Sequence, residues 1–163
     1  MVYLTLVPVA VGRRGKMPFG NPLSTKAAFD NLEATLTGPL SAYPTLADAV
    51  TVTGHADAWT VGAYAAVVPA STITSEIYID SIVIEAVSAA DSFQVAIATG
   101  VPGAEVDIAS ARFVAGHATN SWSIYIPIRK KVAANLRIAV KSANKAGASA
   151  KTCDVSIQYR TIS

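Results

Sequence analysis

Trp122-Ser123-Ile124-Tyr125-Ile126-Pro127-Ile128-Arg129 alternates apolar and polar side chains without a break, and Cys153-Asp154-Val155-Ser156-Ile157-Gln158-Tyr159-Arg160 repeats the pattern. Successive side chains of a strand point to opposite faces, so this period of two predicts Trp122, Ile124, Ile126 and Ile128 inward and Ser123, Tyr125, Pro127 and Arg129 outward. In the second stretch Cys153, Val155, Ile157 and Tyr159 face in. Between them Val132, Leu136, Ile138 and Val140 face in, with Arg137 and Lys141 out. Such alternation fits antiparallel strands with one wet face. Pro127 cannot donate to a ladder, so its strand either lies at an edge or ends there. Asn144 to Ala150 reads as a hairpin loop.

Working outward, the β character runs from Glu76 to Tyr159. Ile77 and Ile79 share one phase and Ile82 and Ile84 the other, so the phase slips at Asp80-Ser81, as a β-bulge would make it. Phe93, Val95 and Ile97 oppose Gln94, Ala96 and Ala98. Thr99-Gly100-Val101-Pro102-Gly103 is a turn. Glu105 and Asp107 alternate with Val106 and Ile108, and the strand ends at Phe113-Val114. Upstream, Trp59, Val61 and Ala63 share a phase, Tyr64 to Val68 follows, and Ala47 to Val52 is a further strand candidate. About eight short strands with no helix between them predict an all-β fold, an antiparallel β-sandwich of jelly-roll type.

The beginning of the chain differs. Tyr3, Thr5, Val7, Val9 and Val11 alternate, but Pro8 assigns them to an edge or to an arm that pairs elsewhere. Residues 12–22 are rich in Gly, Pro and basic residues and carry no periodicity. Ser24 can cap a short helix from Lys26 to Leu36; the alternative is irregular chain. Gly38-Pro39 closes the segment. The expected organisation is an N-terminal arm over 1–40, extended or partly helical, and a β-sandwich domain over 41–163.

A chain of 163 residues suffices for one domain with a sizeable core. Only 15% of residues are charged while 52% are hydrophobic, much of it Ala and Val, which suggests surface covered by other subunits. The longest uncharged stretch, Ala58 to Ser75, is interrupted by Gly62 and Pro69 and lacks the roughly 20 apolar residues a membrane span needs. Arg13, Arg14 and Lys16 follow the apolar run of the N-terminus, the reverse of a secretory signal. A single cysteine, Cys153, makes no internal disulfide and reads as a buried thiol.

Charge is segmented. Residues 1–26 carry +4, residues 27–111 carry −10 and residues 112–163 carry +8. The acidic block either pairs across strands with the basic one or marks a face that meets a complementary partner; cross-strand pairing, which needs no partner, is the preferred reading.

Candidate chemistry is sparse. His55 and Asp57 share a face as two metal ligands would, without a third in view; His117 is the other histidine. Glu105 and Asp107 also share a face, but no Asp/Asn-rich loop surrounds them, and an exposed strand face opposite basic neighbours explains them better. Asp80 and Glu85 read the same way. There is no Gly-x-Ser-x-Gly elbow and no phosphate-binding glycine loop. Neither basic cluster, Arg13-Arg14-x-Lys16 or Arg129-Lys130-Lys131, is interleaved with aromatics, as nucleic-acid binding would favour. The second reads as a strand-end turn. The first, beside Met17 and Phe19, combines charges and apolar anchors on a flexible segment, as a docking peptide does.

Ile97 to Phe113 (Ile-Ala-Thr-Gly-Val-Pro-Gly-Ala-Glu-Val-Asp-Ile-Ala-Ser-Ala-Arg-Phe), then Ile126-Pro127-Ile128, a basic strand around Ala134 to Val140, and the closing Val155-Ser156-Ile157-Gln158-Tyr159 resemble a β-sandwich domain of tailed-phage structural proteins. The resemblance spans roughly residues 59–160 of the chain. It implies a virion component and, for a single domain with an arm, looks most like a capsid decoration (cement) protein. The expectations are then a non-enzyme without cofactor or metal. It would be made in the host cytoplasm and placed on the outer capsid surface. There it would bind the major capsid protein and form a homo-oligomer or contact neighbouring copies, with no nucleic acid or membrane partner. Arg13, Arg14, Lys16, Met17 and Phe19 are the expected docking residues. The alternative is a tail, baseplate or receptor-binding subunit that recognises host surface glycan through aromatics such as Tyr43, Trp59 or Tyr125. A small hydrolase or lectin of cellular origin is a third reading, which the missing chemistry disfavours.

Overall fold

The computed structural model describes residues 39–45, 48–116 and 123–162. They form nine strands and no α-helix: β1 (Ser41–Tyr43), β2 (Val50–Thr53), β3 (Ala65–Val68), β4 (Ile77–Val87), β5 (Asp91–Thr99), β6 (Val106–Ala115), β7 (Ile124–Val132), β8 (Ile138–Asn144) and β9 (Thr152–Thr161). The proposed arm up to residue 38, with the alternation at Tyr3–Val11 and the helix at Lys26–Leu36, and Ala47, His117 and Trp122 all lie outside the described residues.

Two antiparallel sheets account for every strand. One has the order β1-β9-β4-β7, with β2 also on β9; the other has the order β3-β8-β5-β6. β1 and β2 lie end to end along the same side of β9, β1 opposite Ile157 to Tyr159 and β2 opposite Thr152 to Val155. The pairing is nested: β2 with β9, β3 with β8, β4 with β7 and β5 with β6. One long hairpin, its tip at the β5–β6 turn, is thus rolled over itself into two facing sheets. That is the jelly roll the alternation predicts.

The inward faces meet in a closed core. Ile79, Ile82, Phe93, Ile97 and Ile157 are completely buried, and Cys153 lies among them. Phe93 and Phe113 sit opposite each other on β5 and β6, with their rings stacked at 5.2 Å between centroids and 9° between planes. The phase slip at Asp80-Ser81 is a bulge: Ile79 pairs with Tyr159 while Ser81 pairs with Gln158, so β4 carries one extra residue against β9. On the other side Arg129 of β7 takes up the mismatch in a left-handed conformation (φ 54°).

Four expectations need correction. Asn144 to Ala150 is not a hairpin loop, because it leaves β8 in one sheet and enters β9 in the other. Alternation is the same in both cases, and the connection is anchored by the buried Asn144 side chain, whose Nδ2 donates to the Ala146 carbonyl. Leu136 is exposed rather than inward, because residues 133–137 turn around Asn135 at φ 64°. Trp59 to Ala63 forms no strand. Its backbone is held against β2 and β8 instead: the Gly62 N–H donates to the Ser142 carbonyl at 2.8 Å, and a Cβ on Gly62 would stand 2.0 Å from the Thr53 carbonyl oxygen. Finally, Arg129-Lys130-Lys131 is the bulged end of β7, not a turn.

Candidate docking surface

The segmented charge resolves into ion pairs between the acidic middle of the chain and its basic C-terminal part. Glu76 meets Lys131, Glu105 meets Arg137, Asp107 meets Lys141 and Asp80 meets Arg160, each at 2.8 Å. Two of these pairs lie on the outer face of the four-stranded sheet. Its floor is small: Ala96, Ala98, Ala139 and Ala143 are buried there although they point away from the core. Long side chains lie across that floor and cover it, as amphipathic side chains do.

Glu105 receives the Arg137 guanidinium on one oxygen and the Gly103 N–H on the other, each at 2.8 Å. Burial pushes its carboxyl up, but the backbone N–H donors and Arg137 outweigh burial and hold it below the usual range. Asp107 accepts from the Tyr64 hydroxyl at 2.5 Å and pairs with Lys141, whose ammonium sits 4.4 Å from the centroid of the Tyr64 ring. Burial again raises the Asp107 carboxyl, and the bonds from Lys141 and Tyr64 more than reverse it. The same bonds, Asp107 first, raise the Lys141 ammonium. The two carboxylates are therefore neutralised on their own sheet, as an exposed face opposite basic neighbours requires.

The other chemical candidates also find local roles. His55 and Asp57 contact each other at 3.3 Å in an exposed loop, and among the described residues no group of three or more His, Cys, Asp or Glu side chains could hold a metal ion. Glu85 accepts from the hydroxyls of Ser123 (2.7 Å) and Ser156 (3.0 Å). Burial pushes the Cys153 thiol up to about 12, against the pull of the Ser142 hydroxyl, so the thiol is inert while the core is closed. Among the described residues no helix is long and apolar enough to cross a membrane.

One end of the outer face is different. Trp59, Ser92, Arg112, Phe113, Val114 and Lys145 line an open cleft of about 310 Å³. Trp59 holds a left-handed backbone (φ 56°), which a bulky residue adopts only when its surroundings impose it. Here they do: its N–H donates to the Asn144 carbonyl at 2.8 Å, and the Arg112 guanidinium carbon sits 4.6 Å from its ring centroid. Arg112 is fixed a second time, through Nε to the Gln94 side chain at 3.1 Å. Arg112 and Lys145 make no ion pair among the described residues, unlike Arg137 and Lys141 on the same face. Of the aromatics expected to recognise glycan, Tyr43 packs against the core, Trp59 is capped by Arg112, and Tyr125 stands 58% exposed on β7.

Arg13, Arg14, Lys16, Met17 and Phe19, the expected docking residues, lie outside the described residues. Reading the sequence did not single out Arg112 or Lys145. Nothing short of the register, with Gln94 opposite Arg112 and Phe93 opposite Asn144, brings them beside Trp59.

No protein-family model matches the chain, and no curated protein matches it. Solved structures do. A chain from the structure of the infectious bursal disease virus Gt strain aligns over 78% of this chain at 8% identity with a TM-score of 0.42. A chain of the infectious bursal disease virus VP2 subviral particle aligns over 76% at 9% identity with a TM-score of 0.35. In both alignments this chain spans a third of the partner's length (33%). At this level of likeness the alignments carry no argument about function.

Proposed function

We propose that this chain is a non-enzymatic structural protein of a phage virion, a decoration protein that sits on the outer capsid surface and cements neighbouring major capsid subunits. The observation that carries this reading is the nested antiparallel jelly roll, built from the strand-and-turn succession that resembles the tailed-phage β-sandwich domain. The polar side chains that looked like candidate chemistry support it too, since Glu105, Asp107, Asp80 and Glu85 all serve the sheets themselves. A cement acts by adding contact area at junctions between subunits. Many modest contacts on one shell act together, so avidity replaces single-site affinity. On this reading the arm residues Arg13, Arg14, Lys16, Met17 and Phe19 grip the capsid, and neither cofactor, nucleic acid nor membrane takes part.

The test is electron microscopy of virions assembled with and without the protein, followed by binding of a variant lacking residues 1–22 to undecorated heads. Density at subunit junctions that disappears with the protein supports the proposal. Density confined to the tail, or specific labelling of host cells by the purified protein, would overturn it in favour of a receptor-binding subunit. Full head binding by the truncated variant would remove the arm from the mechanism.

A further inference from the structure

Among the described residues four strand positions lie at sheet edges: β1 with β2, β7, β3 and β6. An edge displays backbone N–H and C=O groups that another extended chain can pair with, and folded proteins blunt such edges with short strands, Pro, Lys and bulges. Three of the four are blunted here. β1 and β2 have 3 and 4 residues with Pro44 after β1; β3 has 4 residues and runs into Pro69. β7 carries Pro127, left-handed Arg129, Lys130 and Lys131. β6 has 10 residues without Pro, Gly or Lys, and Val106 and Val114 at its two ends are 66% and 72% exposed. Its one irregularity is the extra residue Ile108, which leaves Ala109 to Ala115 in unbroken register with β5.

We propose that the β6 edge is a docking strand for an extended acidic segment of another protein, which pairs its backbone along Ala109–Ala115 and sets a carboxylate on Arg112 and Lys145. Charge complementarity selects this occupant. The acids of the outer face are neutralised by Arg137 and Lys141, whereas Arg112 and Lys145 remain without a carboxylate among the described residues. Arg112 lies in the middle of the regular stretch. Its stacking on Trp59 and its bond to Gln94 orient the guanidinium through Nε, leaving the two terminal amines as a fork for a carboxylate. Val114, beside them, offers an apolar contact to the next side chain but one of an added strand. Strand addition of this kind draws affinity from the main chain and specificity from alternate side chains. The inference deepens the cement reading and rests on it only for the partner's being another virion protein.

The experiment selects ten-residue peptides from a displayed random library on the immobilised full-length chain, then measures the selected peptides by titration and by hydrogen exchange. Three results are expected: enrichment of Glu or Asp in an alternating apolar context, new protection over residues 109–115, and at least tenfold weaker binding to Arg112→Gln. Arg112→Lys should recover little of that loss, because it keeps the charge and loses the fork. Circular dichroism and melting of both variants establish that the exposed substitution leaves the fold intact. The proposal is overturned by an absence of acidic enrichment, by peptides that bind R112Q as well as the parent chain, or by protection at β7 instead. Head decoration separates the two readings. If R112Q decorates heads as the parent does, this docking site fails and the cement function stands; if the parent itself does not decorate heads, the cement function fails whatever the peptides do.

Discussion

Replacing Phe93 by Ala opens the core at its most tightly defined point. Phe93 is completely buried, and its ring lies flat against Phe113 from the neighbouring strand at 5.2 Å. Deleting a buried phenylalanine costs about 3–5 kcal/mol in transfer and cavity terms together. Of this, about 1 kcal/mol belongs to the aromatic pair and is absent when Phe113 is already Ala. Against a domain stability of about 5–15 kcal/mol, the single change removes a large share. At about 4 °C per kcal/mol the melting temperature falls by about 15 °C. Urea unfolding of the parent chain, Phe93→Ala, Phe113→Ala and the double variant gives both numbers, the loss from each midpoint and the coupling from the cycle. A loss below about 1.5 kcal/mol for Phe93→Ala, or strictly additive single effects, would refute a closed core with a stacked pair at its centre.

Two further outcomes follow from titrating groups. Glu105 and Asp107 have carboxyls held below their ordinary values, so their contribution to stability is complete above the unfolded-state pKa and is lost as pH falls through the lower folded-state pKa. Lys141 has the opposite sign: its contribution is present below the ordinary lysine value of 10.5 and fades as pH rises beyond it. Urea midpoints should therefore fall on acidification below about pH 4.5 and again above about pH 10.5, and Asp107→Asn should flatten part of the acid slope; an unchanged slope in that variant would remove the pair from the account. Cys153, with its thiol pushed up to about 12 and its side chain in the core, should react with a thiol reagent at pH 8 only at the rate of global opening. Rapid labelling of the native chain would place the thiol outside the core.

Alternation carried most of the fold. It placed Ile124, Ile126 and Ile128, and Val155 and Ile157, inside, and it located the bulge at Asp80, because a one-residue slip reverses every later side chain. It failed where facing and connectivity part company. The loop after Asn144 looks the same whether the next strand returns to its own sheet or, as here, crosses to the other. Leu136 keeps the right phase yet sits in a turn, and Trp59 keeps the phase of Val61 but has no ladder to join. The ion pairs were legible as blocks of opposite charge and became particular pairs only through register, Glu105 with Arg137 and Asp107 with Lys141. The cleft was not legible at all. Trp59, Arg112 and Lys145 are far apart in the chain, and no spacing rule joins them. The docking residues read from the sequence, Arg13 to Phe19, belong to a segment outside the described residues.

The nested pairing also fixes the order in which a ribosome can deliver this domain. Among the described residues β5 and β6 are the one pair of strands adjacent both in the chain and in a sheet, so their hairpin can close early. Every other pair waits for a strand made later, and the wait is longest for β1, whose partner is the far end of β9. β9 is no margin of the architecture: it lies between β4 and the β1/β2 edge, in the middle of its sheet. A nascent chain that lacks it holds β4 with an open flank and a core without Val155 and Ile157. The sandwich is therefore completed only after residue 161 is released, and a message truncated before Thr152 yields a protein missing the centre of a sheet rather than its end.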